Sequence, residues 1–183
     1  PPGGIDPPLP PPPPPPPPPQ LAWGRYNAPE VAADISMAMN DAREGRKVTV
    51  GDDKNVGYFL FRDANTASVL SPALGTLGFA LQQAQAQVLT PDGVRQMASV
   101  TDGQLTLNFS ARQFSTSLNL NSQPTGAVGL QASGSLGADG VFYSRSTGQA
   151  LAGAVSLDAK SAGYFFEKLT TGGTLSGITL WGR

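Results

Sequence analysis

The chain has 183 residues, of which 14% are charged, and its formal net charge is −1. This balance excludes partners held mainly by bulk electrostatics, so we expect no nucleic-acid partner. Cysteine and histidine are both absent, which excludes disulfides, thiolate or imidazole catalysis and the usual zinc sites. No apolar run is long enough to span a bilayer as a helix, and we expect no cofactor.

A proline-rich segment occupies residues 1–20 and precedes a folded part that we predict to span residues 21–183. Its unbroken proline run fixes the backbone angle φ and offers no N–H, which predicts a polyproline II arm about 31 Å long. The arm is either a stiff spacer or a segment that docks on aromatic side chains. The prolines of the run are Pro10, Pro11, Pro12, Pro13, Pro14, Pro15, Pro16, Pro17, Pro18 and Pro19.

The first predicted strand covers residues 21–26 and places Leu21, Trp23 and Arg25 on one face. The triplet Trp-Gly-Arg of this strand recurs at residues 181–183. The recurrence is either chance or a sign that the two ends of the folded part lie side by side in a sheet. Each tryptophan has apolar neighbours and a following glycine, so we predict that Trp23 and Trp181 are buried structural anchors.

A helix is predicted over residues 29–44, because Asn27 and Glu30 form a capping signal and Pro29 suits a first turn. Apolar residues then recur at a spacing of four, which favours one buried stripe. Two strands follow at residues 47–50 and 57–62, the second apolar on both faces. The turn between them holds oxygen-bearing side chains but lacks the calcium-loop spacing, so we favour a polar hairpin over a metal site. Those side chains are Asp52, Asp53 and Asn55.

A long strand begins near Leu77, and its apolar positions change parity at residues 82–83. This change predicts a β-bulge, which bends a strand as a closing barrel requires. Gln83, Gln85 and Gln87 share one face of the strand. They are either lumen or rim residues that bind a ligand, or an ordinary solvated face.

Residues 105–181 form the most regular part of the sequence, because apolar residues fall on alternate positions in segment after segment. Turn compositions separate these segments, at residues 111–112, 121–126, 139–140 and 146–148. The pattern predicts an antiparallel β-meander. We therefore expect an all-β fold with an antiparallel barrel of eight to ten strands and one short helix.

Several C-terminal segments resemble a known family, namely residues 105–109, 112–114, 118–120, 140–142 and 153–165. They are similar to the small eight-stranded barrel of transferrin-binding protein B and factor H-binding lipoproteins. In that family a Gly-x-Phe-x-Gly strand leads through a short Ala-containing turn into Gly-Gly-x-Phe. This chain keeps Gly153, Ala159, Gly163 and Phe165 but has Val155 in place of the aromatic residue.

A second resemblance involves residues 23–26, 46–49 and 177–181 together with the proline-rich segment. These parts look like the C-terminal region behind FecR-type domains in some proteobacterial proteins. The resemblance implies a location beyond the inner membrane of a Gram-negative bacterium. We expect the extracellular or outer-membrane surface, with the periplasm as the alternative.

No combination of residues predicts an enzyme. Without His or Cys, catalysis would need a Ser–Lys dyad or a carboxylate pair, and the available groups are scattered. Lys160 and Asp158 fall in a turn, whereas Glu167 and Lys168 end an aromatic strand, so surface pairing is their simplest role. We therefore expect a non-enzymatic module.

Two functions remain for such a module, and we favour the first, with the second as the alternative. In the first, it is a subunit of a fibre-like surface assembly that self-associates when its arm docks on a neighbouring copy. In the second, it binds a ligand or another surface protein, and the arm is a spacer from a FecR-linked signalling part. The arm needs stacking partners because prolines donate no N–H, and the predicted receptors are Tyr26, Tyr143 and Tyr164.

Overall fold

A computed structural model describes residues 3–4, 7–16, 19–26, 35–51, 57–63 and 69–183. Within these residues the chain forms twelve strands, one short α-helix, α1 (Met39–Arg43), and one 3-10 turn (Pro72–Leu74). The strands are β1 (Leu21–Arg25), β2 (Met37–Ala38), β3 (Arg46–Val50), β4 (Tyr58–Asp63), β5 (Thr76–Leu89), β6 (Arg95–Asn108), β7 (Gln113–Ser122), β8 (Gly126–Leu136), β9 (Val141–Ser146), β10 (Gln149–Val155), β11 (Ser161–Thr170) and β12 (Gly173–Gly182).

Strands β5 to β12 form a closed antiparallel barrel of eight strands, in which each strand pairs with the next along the chain and β12 returns to β5. The prediction of an antiparallel barrel with a short helix is confirmed. Tight turns join the strands, and glycines take positive φ where the hairpins need it, as Gly126 and Gly148 do. The predicted bulge in β5 is confirmed as well, since Leu180 and Trp181 of β12 pair with Gln83 and Leu81.

Alternate residues of every barrel strand point inward, and their side chains fill the barrel. The centre is an aromatic group around Tyr164, whose ring stacks on Trp181 at a centroid distance of 5.5 Å and meets Phe142 and Phe166 edge-on. The Tyr164 hydroxyl lies 2.9 Å from Oγ1 of Thr116. A small eight-stranded barrel has an interior just wide enough for such side chains, so packing occupies the space a larger barrel offers to ligands.

The first four strands form a separate sheet in the order β2-β1-β4-β3, outside the barrel. Its inner side chains, including Leu21, Trp23 and Leu60, pack against outward-facing residues of the barrel such as Ile178 and Phe165. The barrel therefore begins at Thr76, whereas we had expected barrel strands from residue 21 onward. The first four strands lie outside the barrel because the outer side of β10 to β12 is a second apolar surface, which only a further layer can bury.

The Trp-Gly-Arg triplets lie in different sheets, so of the two alternatives the side-by-side pairing in one sheet is excluded. Trp23 and Trp181 are each 1% exposed, Trp23 between the two sheets and Trp181 inside the barrel. The indole N–H of Trp23 donates to the carbonyl oxygen of Thr179 at 3.0 Å. Strands β1 and β12 therefore pack against each other through their faces and do not pair along their edges.

The predicted helix over residues 29–44 is wrong over its described part, except for α1. Met37 and Ala38 form β2, which pairs in parallel with Gly24 and Arg25 of β1. Residues 29–34 lie outside the described part of the chain. Pairing with β1 covers an otherwise open sheet edge, which outweighs the weak helical preference of so short a segment.

The short helix still buries its apolar residues, because Met39 and Ala42 pack with Ala22 and Phe61. The two predicted strands that follow are present as β3 and β4, and they pair antiparallel. Within the described residues, no helix is long and apolar enough to cross a membrane.

Candidate functional site

The outer surface of the barrel has two unlike halves. The four-stranded sheet packs over outward-facing side chains of β10, β11 and β12, such as Ala154, Phe165 and Ile178. It also reaches β5, where the amide of Gln85 donates to the Tyr58 hydroxyl at 3.2 Å. The outer sides of β6, β7 and β8 have no covering layer in the described structure. We call these three strands' outward side chains the bare face.

The bare face contains a shallow groove of about 520 Å³. Its outward-pointing lining side chains all carry hydroxyl or carboxamide groups, namely Gln104, Thr106, Ser115, Ser117, Gln131 and Ser133. Between residues 103 and 138 the only charged residue is Arg112, which lies in the β6–β7 turn and donates to the carbonyl oxygen of Leu70 at 3.3 Å. The groove is therefore polar, uncharged and able to donate and accept hydrogen bonds.

The pairing between β8 and β9 is the shortest in the barrel, because it consists only of Ser135 with Tyr143 and Leu136 with Phe142. In contrast, β8 pairs with β7 over its length from Gly126 to Ser135. Residues 126–134 of β8 thus have no strand partner on the β9 side, and we call this side the open edge of β8. It borders the groove of the bare face.

Side chains bridge the gap where the backbone ladder stops. Nε2 of Gln149 donates to the carbonyl oxygen of Gln131 at 2.7 Å, and Nζ of Lys168 donates to Oε1 of Gln149 at 3.2 Å. The first of these bonds shows that the carbonyl group of Gln131 points toward the open edge. Because the N–H and C=O of one strand residue point the same way, Gly129, Gln131 and Ser133 direct both groups there.

The three tyrosines predicted as arm receptors lie in different environments. Tyr26 is 70% exposed and Tyr143 is 65% exposed, so both rings are accessible. Tyr143 projects outward from β9 opposite Ser135, at the end of the open edge. Tyr164 is fully buried in the barrel, which excludes it as a receptor for the arm. Burial also raises the pKa of its phenol above the ordinary value, because the ionised form would lose its solvation.

The described part of the arm is mostly exposed to solvent. Residues 7–16 are neither helix nor strand and are all exposed, with Leu9 at 92%. Pro17 and Pro18 lie outside the described residues. At the end of the arm, the carbonyl oxygen of Pro19 accepts a hydrogen bond from Nε of Arg46 at 2.8 Å. The described prolines therefore do not pack on the chain's own aromatic surface.

Gln83, Gln85 and Gln87 of β5 point outward, so they are not lumen residues. Gln83 is exposed, whereas Gln85 accepts a hydrogen bond from the N–H of Ile35 at 2.7 Å besides donating to Tyr58. Gln87 is 8% exposed and its Nε2 has no hydrogen-bond partner among the described residues. Parity alone could not reveal this placement, because it does not say which face of β5 a second sheet would cover.

Asp158 and Lys168, two of the residues weighed for catalysis, hold local structure together. The carboxylate of Asp158 accepts hydrogen bonds from Oγ of Ser156 at 2.6 Å and from the N–H of Lys160 at 3.0 Å, which stabilises the β10–β11 turn. Lys168 bonds Gln149 as described. The turn with Asp52, Asp53 and Asn55 lies outside the described residues, and among those that are described no cluster of acidic residues could hold a metal ion.

The burial of Arg62 was not predicted from the sequence. The guanidinium of Arg62 donates to the carbonyl oxygens of Asp139 and Val155, at 2.6 and 2.9 Å, and so ties the four-stranded sheet to one end of the barrel. Burial lowers the pKa of Arg62, and the nearby Asp139 carboxylate partly offsets this effect. The role of Arg62 is structural, because both acceptors are backbone carbonyl oxygens.

Comparison with known proteins gives matches among solved structures only, since no family model and no curated protein matches the sequence. The transferrin-binding protein B double mutant from Haemophilus parasuis Hp5 is 13% identical and covers 72% of this chain and 30% of that chain, with a TM-score of 0.43. The intact Ap-TbpB with N and C lobes is 14% identical, with the same coverages and a TM-score of 0.39.

The siderocalin Ex-FABP, described as having dual ligand specificities, is 14% identical and covers 62% of this chain and 74% of that chain, with a TM-score of 0.32. The chain spans about 30% of the length of the two transferrin-binding proteins. All three likenesses concern β-barrels, and the description of the fold rests on the strand pairing of this chain itself. The resemblance to FecR-linked regions stays a prediction.

Proposed function

We propose that this chain is a non-enzymatic, surface-associated module that binds a protein partner on its bare face. The observation that carries the proposal is the contrast between the two halves of the barrel. One half is sealed by the four-stranded sheet, whereas the other presents an uncharged groove of about 520 Å³. Protein interfaces are depleted of charged residues at their centres, and the lining of the groove contains no charged residue.

The interior and the polar residues favour binding over catalysis. The barrel is filled around Tyr164 and Trp181, so it offers a substrate no central chamber. The carboxylate of Asp158 and the amine of Lys168 are engaged in hydrogen bonds that hold local structure. We therefore assign the function to binding at the outer surface of the barrel.

Photo-cross-linking in the cells that naturally make the protein tests this proposal. A benzophenone amino acid at Ser117, on the bare face, is expected to form an adduct with one polypeptide, and the same group at Val48 of β3 serves as the control. The further substitution Ser115→Arg should abolish the adduct because it places an unpaired charge in the groove, whereas Val48→Arg should leave it intact. Equal adducts from Ser117 and Val48 would contradict the proposal.

A second candidate function is self-association through the arm. It is favoured by two observations: residues 7–16 are exposed, and Tyr143 presents a largely accessible ring beside the open edge of β8. A preformed polyproline II rod loses little entropy when it stacks on such rings in a neighbouring copy. Repeated docking of this kind would build a fibre-like assembly.

Light scattering on the full chain and on a variant lacking residues 1–19 tests the arm. The full chain should form oligomers that the deletion abolishes, and Tyr143→Ala should weaken them because a stacking surface is lost. Leu169→Ala is the matched control, since Leu169 is also exposed, at 57%, but lies on β11. If the full chain is monomeric at all accessible concentrations, the arm is a spacer.

The cellular location is part of the same proposal. We place the folded part on the extracellular or outer-membrane surface, with the periplasm as the alternative, in line with the location beyond the inner membrane that the resemblance to FecR-linked regions implies. An antibody against residues 1–20 added to intact cells should bind a surface-located arm and leave a periplasmic one unlabelled. Cells with a permeabilised outer membrane provide the positive control.

A further inference from the structure

We propose that the open edge of β8 binds an extended, uncharged segment of the partner protein as an added β-strand. The inference rests on the proposed protein-binding function, because it states the chemistry of the partner segment. Its starting point is the short β8–β9 ladder, which has two residue pairs, next to a β7–β8 ladder that runs from Gly126 to Ser135. Closing a barrel normally removes all strand edges, so an incomplete ladder is an exception within this fold.

The open edge presents backbone groups in the arrangement that strand addition uses. Gly129, Gln131 and Ser133 direct their N–H and C=O groups toward it, and all three residues are exposed. Within the described part of the chain, only the carbonyl oxygen of Gln131 among these groups is engaged, by the side chain of Gln149. An added strand would satisfy these groups through main-chain hydrogen bonds, which supply affinity in known cases of β-strand addition.

The sequence of β8 contains none of the residues that protect natural edges. It reads Gly-Ala-Val-Gly-Leu-Gln-Ala-Ser-Gly-Ser-Leu, without lysine, any other charge or proline. Edge strands that must stay free usually carry such residues. Because no charged side chain lies on β8, the matching segment is an uncharged one, with alternating small apolar and polar residues that follow the pleat.

The shape of the gap beside the open edge of β8 favours a single extended segment over a folded partner. Ser135 and Leu136 of β8 pair with β9, so the gap between the two strands is closed at this end. Gly134 permits this close crossing, because a Cβ atom at this position would meet the carbonyl oxygen of Tyr143 at 2.5 Å. The chain's own proline run is excluded as the occupant, since prolines have no N–H to donate to the carbonyl groups of the edge.

A synthetic peptide with the sequence of β7, residues 113–122, is a suitable probe because this sequence already pairs with β8 and carries no charge. We titrate it into the full chain labelled for NMR. The amide signals of Gly129, Gln131 and Ser133 should shift and become protected from hydrogen exchange, whereas that of Val48 in β3 should not change. Two N-methylated peptides are the controls, one methylated at the positions of Ser115, Ser117 and Asn119, the other at Thr116, Leu118 and Leu120.

Only one edge of an added strand faces β8, so one of the two methylated peptides should lose binding and the other should retain it. Binding by both, by neither, or without a shift at the open edge would overturn strand addition. These results concern wild-type protein, and they are independent of the Ser117 cross-link, which tests whether any protein meets the bare face. An intact cross-link with no peptide binding would therefore overturn the strand mechanism alone.

Variants of β8 and β10 give a second, independent check. Gln131→Pro removes an N–H that faces the open edge and not β7, so it should abolish peptide binding while the near-ultraviolet circular dichroism stays unchanged. Gln131→Thr keeps the N–H and should bind like the parent. Gln149→Ala frees the carbonyl oxygen of Gln131 and should tighten binding about two- to tenfold, as expected for one hydrogen bond. Unchanged affinity in both Gln131→Pro and Gln149→Ala would contradict the proposal.

Discussion

Hydrogen bonding at the barrel centre concentrates on one buried phenol. Oγ1 of Thr116 donates to the carbonyl oxygen of Gln104 at 2.7 Å, so its single proton is used and the Tyr164 hydroxyl donates to it. Tyr164 also stacks on Trp181 and contacts Phe142 and Phe166. This one side chain therefore connects three inward-facing aromatic residues with the polar network of β6 and β7.

Tyr164→Phe should change the pH dependence of stability more than stability at neutral pH. At pH 7 the expected loss is about 1 kcal/mol, because Thr116 keeps its bond to Gln104. The pKa of Tyr164 is raised in the folded state, so the unfolded chain alone releases this proton above its ordinary pKa of about 10. The parent should then lose stability as the pH rises past about 10, and the variant should lose less. Urea unfolding between neutral and alkaline pH measures the difference, and parallel curves would contradict it.

Gly153→Ala should destabilise the barrel by about 1–3 kcal/mol, because an added Cβ atom would overlap the backbone of Gly163 and the Cβ of Tyr164. Gly129→Ala is the matched control, since a Cβ atom there meets nothing within 4 Å. The control should be neutral or slightly stabilising. Thermal unfolding of both variants is the measurement, and equal melting temperatures would show that β10 can shift away from β11.

At the scale of elements, β8 has a complete ladder with β7 on one side and an incomplete ladder with β9 on the other. This asymmetry predicts an alternation in hydrogen exchange along β8 of the free protein. The N–H of Gln131 faces the open edge and should exchange much faster than those of Leu130 and Ala132, which face β7. NMR-detected exchange measures this directly. Uniform protection of the three amides would mean that β8 has a partner on both sides.

At the scale of the whole molecule, the sheet and the barrel depend on each other. The sheet covers Phe165, Ile178 and Leu180 on the barrel and inserts Trp23 between the layers. A fragment of residues 69–183 would expose this apolar surface to water. We expect it to bind a hydrophobic dye, to aggregate and to unfold at a lower temperature than the full chain. Deletion of residues 1–19 alone keeps the sheet and should cause none of these changes.

The periodic parts of the sequence predicted the fold well, and the short parts did not. Alternating apolar residues over residues 105–181 and the parity change at residues 82–83 identified barrel strands and a bulge. The predicted helix over residues 29–44 is reduced to α1 in the described chain, because Met37 and Ala38 pair with β1. A capping signal acts locally and weakly, whereas pairing along a sheet edge depends on distant residues.

The candidate site was only partly predictable. Tyr143 and Tyr164 each lie beside a phenylalanine of opposite parity, so alternation allowed either ring to face outward, and Tyr143 is indeed exposed. The same argument failed for Tyr164, because alternation identifies two faces but not which of them is the interior. No sequence pattern indicated the hydrogen bond between Gln149 and Gln131, because the two residues lie 18 positions apart and on different strands. The sequence shows that β8 contains no charged residue and no proline. This composition indicates a binding edge only when the strand pairing is known, because the pairing shows that β8 has an open edge.

The sequence by itself determined that this protein is a β-barrel, because a period of two over many segments makes one side of each strand apolar and drives closure around a single core. It also excluded chemistry that needs histidine or cysteine. Only the tertiary structure decided that the first four strands form a second layer, and that β8 and β9 pair through two residue pairs. Both outcomes depend on strand registers and on surfaces contributed by distant segments, which no local pattern encodes.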